Sequence, residues 1–270
     1  MPIRIMQFEF DANELRKSIR GMSGPLGLSM TLPYLEPYLI RTMREALKHT
    51  SDPSVEAEVR QFIGQEAQHF RQHRQLNEML RNCHDGFADI KQIEDEMEAD
   101  YQRFTATKSL KFNLAYAEGF EAATCALARN SMKYMSTDGE MSDITKLFMW
   151  HLTEEIEHRT VTFNIYKHLY GDYFYRLFVG IYGQYHFFRY VYRFARFIAQ
   201  NQPRTDETQS AAMRKRSRKR RSPKAAFALL GSLLATYLPW YDPANLKLPD
   251  NVARLSEKFS LEALETRGAS

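Results

Sequence analysis

Glutamate and histidine recur in one pattern twice along this chain. Glu36 precedes Glu66-Ala67-Gln68-His69, and Glu118 precedes Glu155-Ile156-Glu157-His158. On an α-helix, positions i and i+3 share a face, so each Glu-x-x-His pair can offer a carboxylate oxygen and an imidazole nitrogen to one cation. These oxygen and nitrogen donors suit iron, manganese or zinc. Four carboxylates with two imidazoles make a cradle anionic enough for two divalent ions, a ligand set found in dinuclear helical bundles. The metal ligands expected on this ground are Glu36, Glu66, His69, Glu118, Glu155 and His158. The spacing does not say which carboxylates are terminal and which bridge.

Other residues fall within a turn of this set. His73 and His151 lie at His69 + 4 and Glu155 − 4, on the stripe that faces the ions. Each is an extra ligand or a hydrogen-bond partner of a ligand, and partner is the commoner role. Glu121, one turn from Glu118, is an alternative ligand. Glu154, four residues before His158, reads as a supporting acceptor. Cys125 reads as a packed thiol, because neither it nor Cys83 belongs to a zinc or disulfide pattern.

The elements that must position these groups are antiparallel helices. Residues face each other across a hairpin when they lie equally far from its turn. The midpoint of Glu36 and Glu66 is Ser51, within the turn formers His49-Thr50-Ser51-Asp52-Pro53. The midpoint of Glu118 and Glu155 falls at Ser136-Thr137-Asp138-Gly139, another turn signal. With Glu121 in place of Glu118 the midpoint is Asp138, still inside that turn. At about 1.5 Å per residue, each pair therefore stands level.

The chain reads as all-α, a four-helix bundle with additional covering helices. Strand signals are few, and long stretches are rich in Ala, Leu, Met, Glu, Lys and Arg. Residues 1–30 read as extended or irregular, because Gly21, Gly24, Pro25 and Gly27 break a helix. The predicted core helices are 33–48, 53–82, 108–135 and 140–169, with a charged helix at 87–107 crossing the bundle. An aromatic helix over 172–200 covers it; its arginines make it a poor membrane span. Residues 1–200 thus form the bundle with its arm and cover, 201–224 a basic polar linker, and 225–270 a docked helix and tail with a short helix at 260–266. The uncharged run from Ala225 to Trp240 is shorter than the roughly 20 residues that cross a bilayer.

The 270 residues suffice for a sizeable core. Net charge is +4, yet Arg214, Lys215, Arg216, Arg218, Lys219, Arg220, Arg221 and Lys224 supply eight positive charges, leaving −4 for the remainder. Contact with nucleic acid or anionic lipid would rest on this tract, which reads first as a solvated linker. No phosphate loop, dinucleotide fingerprint or Ser-His-Asp order is present. The first residues lack a secretory core, and a cytoplasmic location is expected.

Five segments together resemble a bacterial family catalogued as predicted metal-dependent hydrolases. They are Met6-Gln7-Phe8-Glu9-Phe10; Phe62-Ile63-Gly64-Gln65-Glu66-Ala67-Gln68-His69 with His73; Glu118 in its Ala-rich helix; Trp150-His151 through Glu154, Glu155, Glu157 and His158; and Tyr237-Leu238-Pro239-Trp240-Tyr241-Asp242-Pro243. That family is similar to ferritin-like di-metal carboxylate proteins. Leu35-Glu36-Pro37 departs from its usual Gly-Glu, and 214–224 looks like an insertion.

Three functions are compatible with these residues. The first is a di-iron enzyme that uses O2 to oxidise an apolar or aromatic small molecule, with an electron donor. The second is a two-metal hydrolase holding zinc, manganese or iron. The third is a non-catalytic metal-binding bundle. A homo-oligomer is compatible with all three.

Overall fold

The structure, a computed structural model, describes residues 1–133, 135, 141–202 and 223–268, and every regular element among them is a helix. Among the described residues nine α-helices follow in order: α1 (Ala12–Ala46), α2 (Pro53–Asn82), α3 (Ile90–Thr107), α4 (Leu110–Met132), α5 (Asp143–Glu157), α6 (Val161–Leu169), α7 (Tyr173–Asn201), α8 (Pro223–Ala235) and α9 (Val252–Gly268). The starts follow local chemistry. Asp52, Ser109, Ser142 and Asp172 cap α2, α4, α5 and α7 by accepting from backbone N–H groups of the first turn. The Ser136–Gly139 turn, and residues 203–222 of the expected linker, lie outside the described residues.

Helix α4 is the axis. Residues 113–126 are buried without interruption, as expected of a helix enclosed on all sides. It touches α1, α5, α6, α7 and α8. Small residues allow that approach. A Cβ on Gly119 would lie 2.8 Å from the carbonyl oxygen of Gly180, so α4 and α7 cross backbone to backbone.

Four element expectations need correction. Helix α1 begins at Ala12, about twenty residues before the predicted start, and Gly21, Gly24, Pro25, Gly27, Pro33 and Pro37 all lie inside it. Packing explains why these residues do not break it. Leu15, Ile19, Leu26 and Met30 are fully buried, and Gly27 meets α7 so closely that a Cβ would stand 2.7 Å from the Ala195 nitrogen. Burial there outweighs the weak intrinsic preference against glycine. The expected 140–169 helix is two, broken after the C-cap His158, where Arg159 Nη1 donates to the Ile156 carbonyl. The tail helix starts at Val252 rather than 260, because Val252, Leu255, Phe259 and Ala263 form one buried stripe, and α9 packs on α5. Helix α8 ends at Ala235 and packs on α4, yet none of its residues is buried. No described helix is long and apolar enough to cross a membrane.

Candidate metal centre

Helices α1, α2, α4 and α5 point carboxylates and imidazoles at a common interior point. Glu36 comes from α1, Glu66 and His69 from α2, Glu121 from α4, and His151 and Glu155 from α5, with His158 at its C-cap. None of the seven is more than 6% exposed. Two groups have donor atoms within 4.8 Å of one another: Glu36, His69 and His151, and Glu66, Glu155 and His158.

Two carboxylates stand between these groups. Glu66 Oε1 lies 3.8 Å from His69 Nδ1 and 3.5 Å from His158 Nε2. Glu155 Oε1 lies 2.8 Å from His151 Nε2 and 3.6 Å from His158 Nε2. Glu36 and Glu121 flank the cluster, 3.7 Å from His151 and 3.2 Å from His158 respectively. Glu66 and Glu155 thus stand between the two histidine groups, with Glu36 and Glu121 at their flanks, and all four could offer oxygens to cations held there.

The cradle is unsatisfied as it stands. Nine buried atoms have no hydrogen-bond partner: both oxygens of Glu36, Glu66 and Glu121, one of Glu155, His69 Nδ1 and His158 Nε2. Buried polar groups are ordinarily paired, and burying an unpaired one costs free energy. The charge balance points the same way. Burial, reinforced by neighbouring carboxylates, pushes the Glu36 carboxyl well above its ordinary range. Burial likewise raises Glu66 strongly, and Glu121 to about 7. His158 is displaced upward despite burial, because the Glu121 and Glu155 carboxylates face its ring. Without a cation, an imidazolium offsets part of the negative charge. Divalent ions would offset more and occupy the orphaned atoms, so the donor set fits a two-metal site.

Outer hydrogen bonds orient each imidazole. His69 Nε2 lies 2.9 Å from Glu154 Oε2, while Glu154 Oε1 accepts from Arg4 Nη1 and Trp150 Nε1, leaving Nδ1 to face inward. Gln65 Nε2 donates to the Pro2 carbonyl, so its oxygen faces His158 Nδ1 at 3.2 Å and accepts from it. That leaves His158 Nε2 for the cluster. A carboxylate or amide behind an imidazole is the usual way a metal ligand is held in one tautomer.

The His151 arrangement reaches back to α1. Proline has no N–H, so Pro33 leaves the Ser29 carbonyl without its helical donor. Asn77 Nδ2 donates to that carbonyl at 2.8 Å, which turns Asn77 Oδ1 toward the Ser29 hydroxyl. Ser29 Oγ spends its proton on Asn77 Oδ1 at 2.6 Å and must accept from His73 Nδ1 at 2.8 Å. Burial keeps His73 neutral, its pKa well below the ordinary value. His73 Nε2 therefore accepts from His151 Nδ1 at 2.7 Å. His151 Nε2 then faces the cluster, 2.8 Å from Glu155 Oε1 and 3.7 Å from Glu36 Oε1.

The expected site residues fall out as follows. Glu36, Glu66, His69, Glu155 and His158 converge. Glu118 does not: its Oε1 accepts from Arg176 Nη1 of α7 at 2.8 Å, and Glu121 stands beside His158 instead. His151 joins the donor atoms, whereas His73 and Glu154 stand behind them as partners. Cys125 is buried, and burial pushes its thiol up to about 12.

Arg4, Gln65, Ser29 and Asn77 were not singled out in the sequence. One signal was present, since Gln65, His69, His73 and Asn77 recur every four residues along α2. Arg4 carries no local signal, because it comes from the N-terminal arm.

Searches of curated proteins and of solved structures returned no match to this chain. Residues 23–247, which hold every converging donor, match the family described as predicted metal-dependent hydrolase, and the chain belongs to that family.

Proposed function

We infer that the chain is a two-metal hydrolase, with one cation beside Glu36, His69 and His151 and the other beside Glu66, Glu121, Glu155 and His158. The observation that carries this reading is the set of nine orphaned donor atoms converging from four helices. The hydrolytic class follows the description of the family. Bound divalent ions would supply Lewis acidity and make water acidic enough to be a nucleophile near neutral pH. The protein's part is orientation and proton handling. Glu154, fixed by Arg4 and Trp150, holds the His69 ring, and Gln65 holds His158. His73 Nε2, set as an acceptor by the Ser29 hydroxyl behind it, holds the Nδ1–H of His151.

Di-iron, O2-dependent oxidation is a second reading. Near-complete burial of all seven donors favours it, because a co-reactant as small as O2 needs little opening. Metal analysis separates the two. The hydrolase reading expects about two zinc or manganese ions per colourless chain, as a dinuclear site requires, with turnover of esters, amides or phosphoesters under anaerobic conditions. Iron with an absorption band that changes on O2 exposure would replace it with the oxidative reading. Glu155→Ala and His69→Ala should each lose tight binding of one ion. Two tightly held ions in both variants would refute the site.

A further inference from the structure

Helices α7 and α8 adjoin over α4 and carry an apolar surface that nothing among the described residues covers. The end of α8 is tied to α7: Tyr173 Oη donates to the Tyr237 carbonyl, Tyr237 Oη to Gln184 Oε1, and Gln184 Nε2 to Thr236 Oγ1. On α7, Phe174, Phe178, Ile181, Tyr185 and Tyr192 lie at spacings of four, three, four and seven, a single helical stripe. Phe174 is 68% exposed and Phe178 69%. On α8 and its extension, Phe227, Leu230, Leu234 and Leu238 repeat the pattern, with Phe227 73% exposed and Trp240 just beyond at 76%. Soluble surfaces rarely leave rows of large apolar side chains in water unless something docks on them.

Charge identifies the occupant. Neither α7 nor α8 contains an Asp or Glu, whereas α7 holds Arg176, Arg189, Arg193 and Arg196. Arg176 and Arg193 pair with Glu118 and Glu96. Arg189 and Arg196 are exposed and continue the aromatic stripe, and Lys224 is exposed at the start of α8. The sequence adds seven cations at 214–221, directly before α8. Two copies of such a face would set like charges against each other. An anionic bilayer offers the opposite sign and an apolar layer a few ångströms beneath it. Phe, Tyr and Trp beside Arg and Lys are the composition that lodges at a headgroup boundary.

We propose that the α7–α8 face docks on the surface of an anionic lipid bilayer, the aromatic and leucine side chains entering the headgroup boundary and the arginines meeting lipid phosphates. The docking is peripheral, since neither helix is long and apolar enough to span.

The test is co-sedimentation of the full metal-loaded chain with vesicles of phosphatidylcholine alone or mixed with phosphatidylserine. Binding to the mixed vesicles should exceed binding to neutral ones and weaken with salt. Phe178→Asp with Leu230→Asp should lower it by at least about tenfold, because two side chains that entered the boundary become charged. Both residues are exposed and outside the cradle, so circular dichroism and metal content should stay unchanged. No binding to either vesicle overturns the proposal, as does undiminished binding by the folded double variant. A wild-type dimer that ignores vesicles and is split by the double variant would assign the face to a second copy and equally overturn it.

Discussion

Replacing Glu66 with methionine should stabilise the metal-free protein and destabilise the metal-loaded one. Glu66 is 0% exposed, and neither of its carboxyl oxygens has a hydrogen-bond partner. Near neutral pH the group must keep a proton above its ordinary range or ionise in a dry interior; both are unfavourable. An unsatisfied buried polar group costs about 1–3 kcal/mol, and an apolar isostere removes that cost. Taking about 2 kcal/mol as the central value, Tm of the stripped variant should rise by about 3–4 °C for a chain of this size. With metal the order reverses, because wild type gains about 4 kcal/mol when free metal exceeds Kd a thousandfold. The variant lacks the carboxylate that stands between the two histidine groups and should lose most of that gain. Thermal unfolding followed by circular dichroism, in chelator and then in added metal, reads both signs. A Glu66→Met variant less stable than wild type in chelator would refute the reasoning. It would mean that the cradle is already satisfied without cations.

Glu118 and Glu121 should separate by assay. Glu121→Ala should reduce bound metal by elemental analysis, whereas Glu118→Ala should leave metal content intact and lower stability by about 3–5 kcal/mol, the effect of stranding one partner of a buried ion pair. Gly119→Ala should destabilise by about 1–3 kcal/mol, because its Cβ would meet the backbone of Gly180. The same change at Gly180 meets nothing closer than 3.5 Å and should be neutral or stabilising by up to about 1 kcal/mol, both measurable by denaturant unfolding. Asp100 sits partly buried, which raises its pKa, but bonds from His186, Arg103 and Tyr190 win and hold it at about 2. A depressed acid adds stability above its unfolded pKa of about 3.8 and loses it as pH falls through the folded value. Asp100→Asn should therefore be less stable than wild type at pH 6, and the gap in Tm should close between about pH 4 and pH 2.

Repetition in the sequence made the paired Glu-x-x-His helices legible, and hairpin symmetry made Glu36 legible through its level with Glu66. Glu118 and Glu121 could not be separated by that argument, because both midpoints fall in one turn and the residues differ by a single helical turn. What separates them is Arg176, 58 residues away on α7, which takes Glu118. The start of α1 was hidden for a related reason. Glycine and proline reveal local preference, while the close approach of α7 to Gly27 is a tertiary fact. Arg4 belongs to the same class, since it reaches Glu154 across 150 residues.

Pro33 has a consequence beyond the shape of its helix. One rung of the backbone ladder is left open there, and an amide from another helix occupies it. That amide cannot turn over without stranding a carbonyl in the dark interior, so each proton downstream has one permitted seat. The nitrogen with which His73 meets α5 is thus selected by a hydrogen that an imino acid does not possess. Restoring that hydrogen with alanine would leave every charge in the protein unchanged, yet free the whole relay to run in either direction.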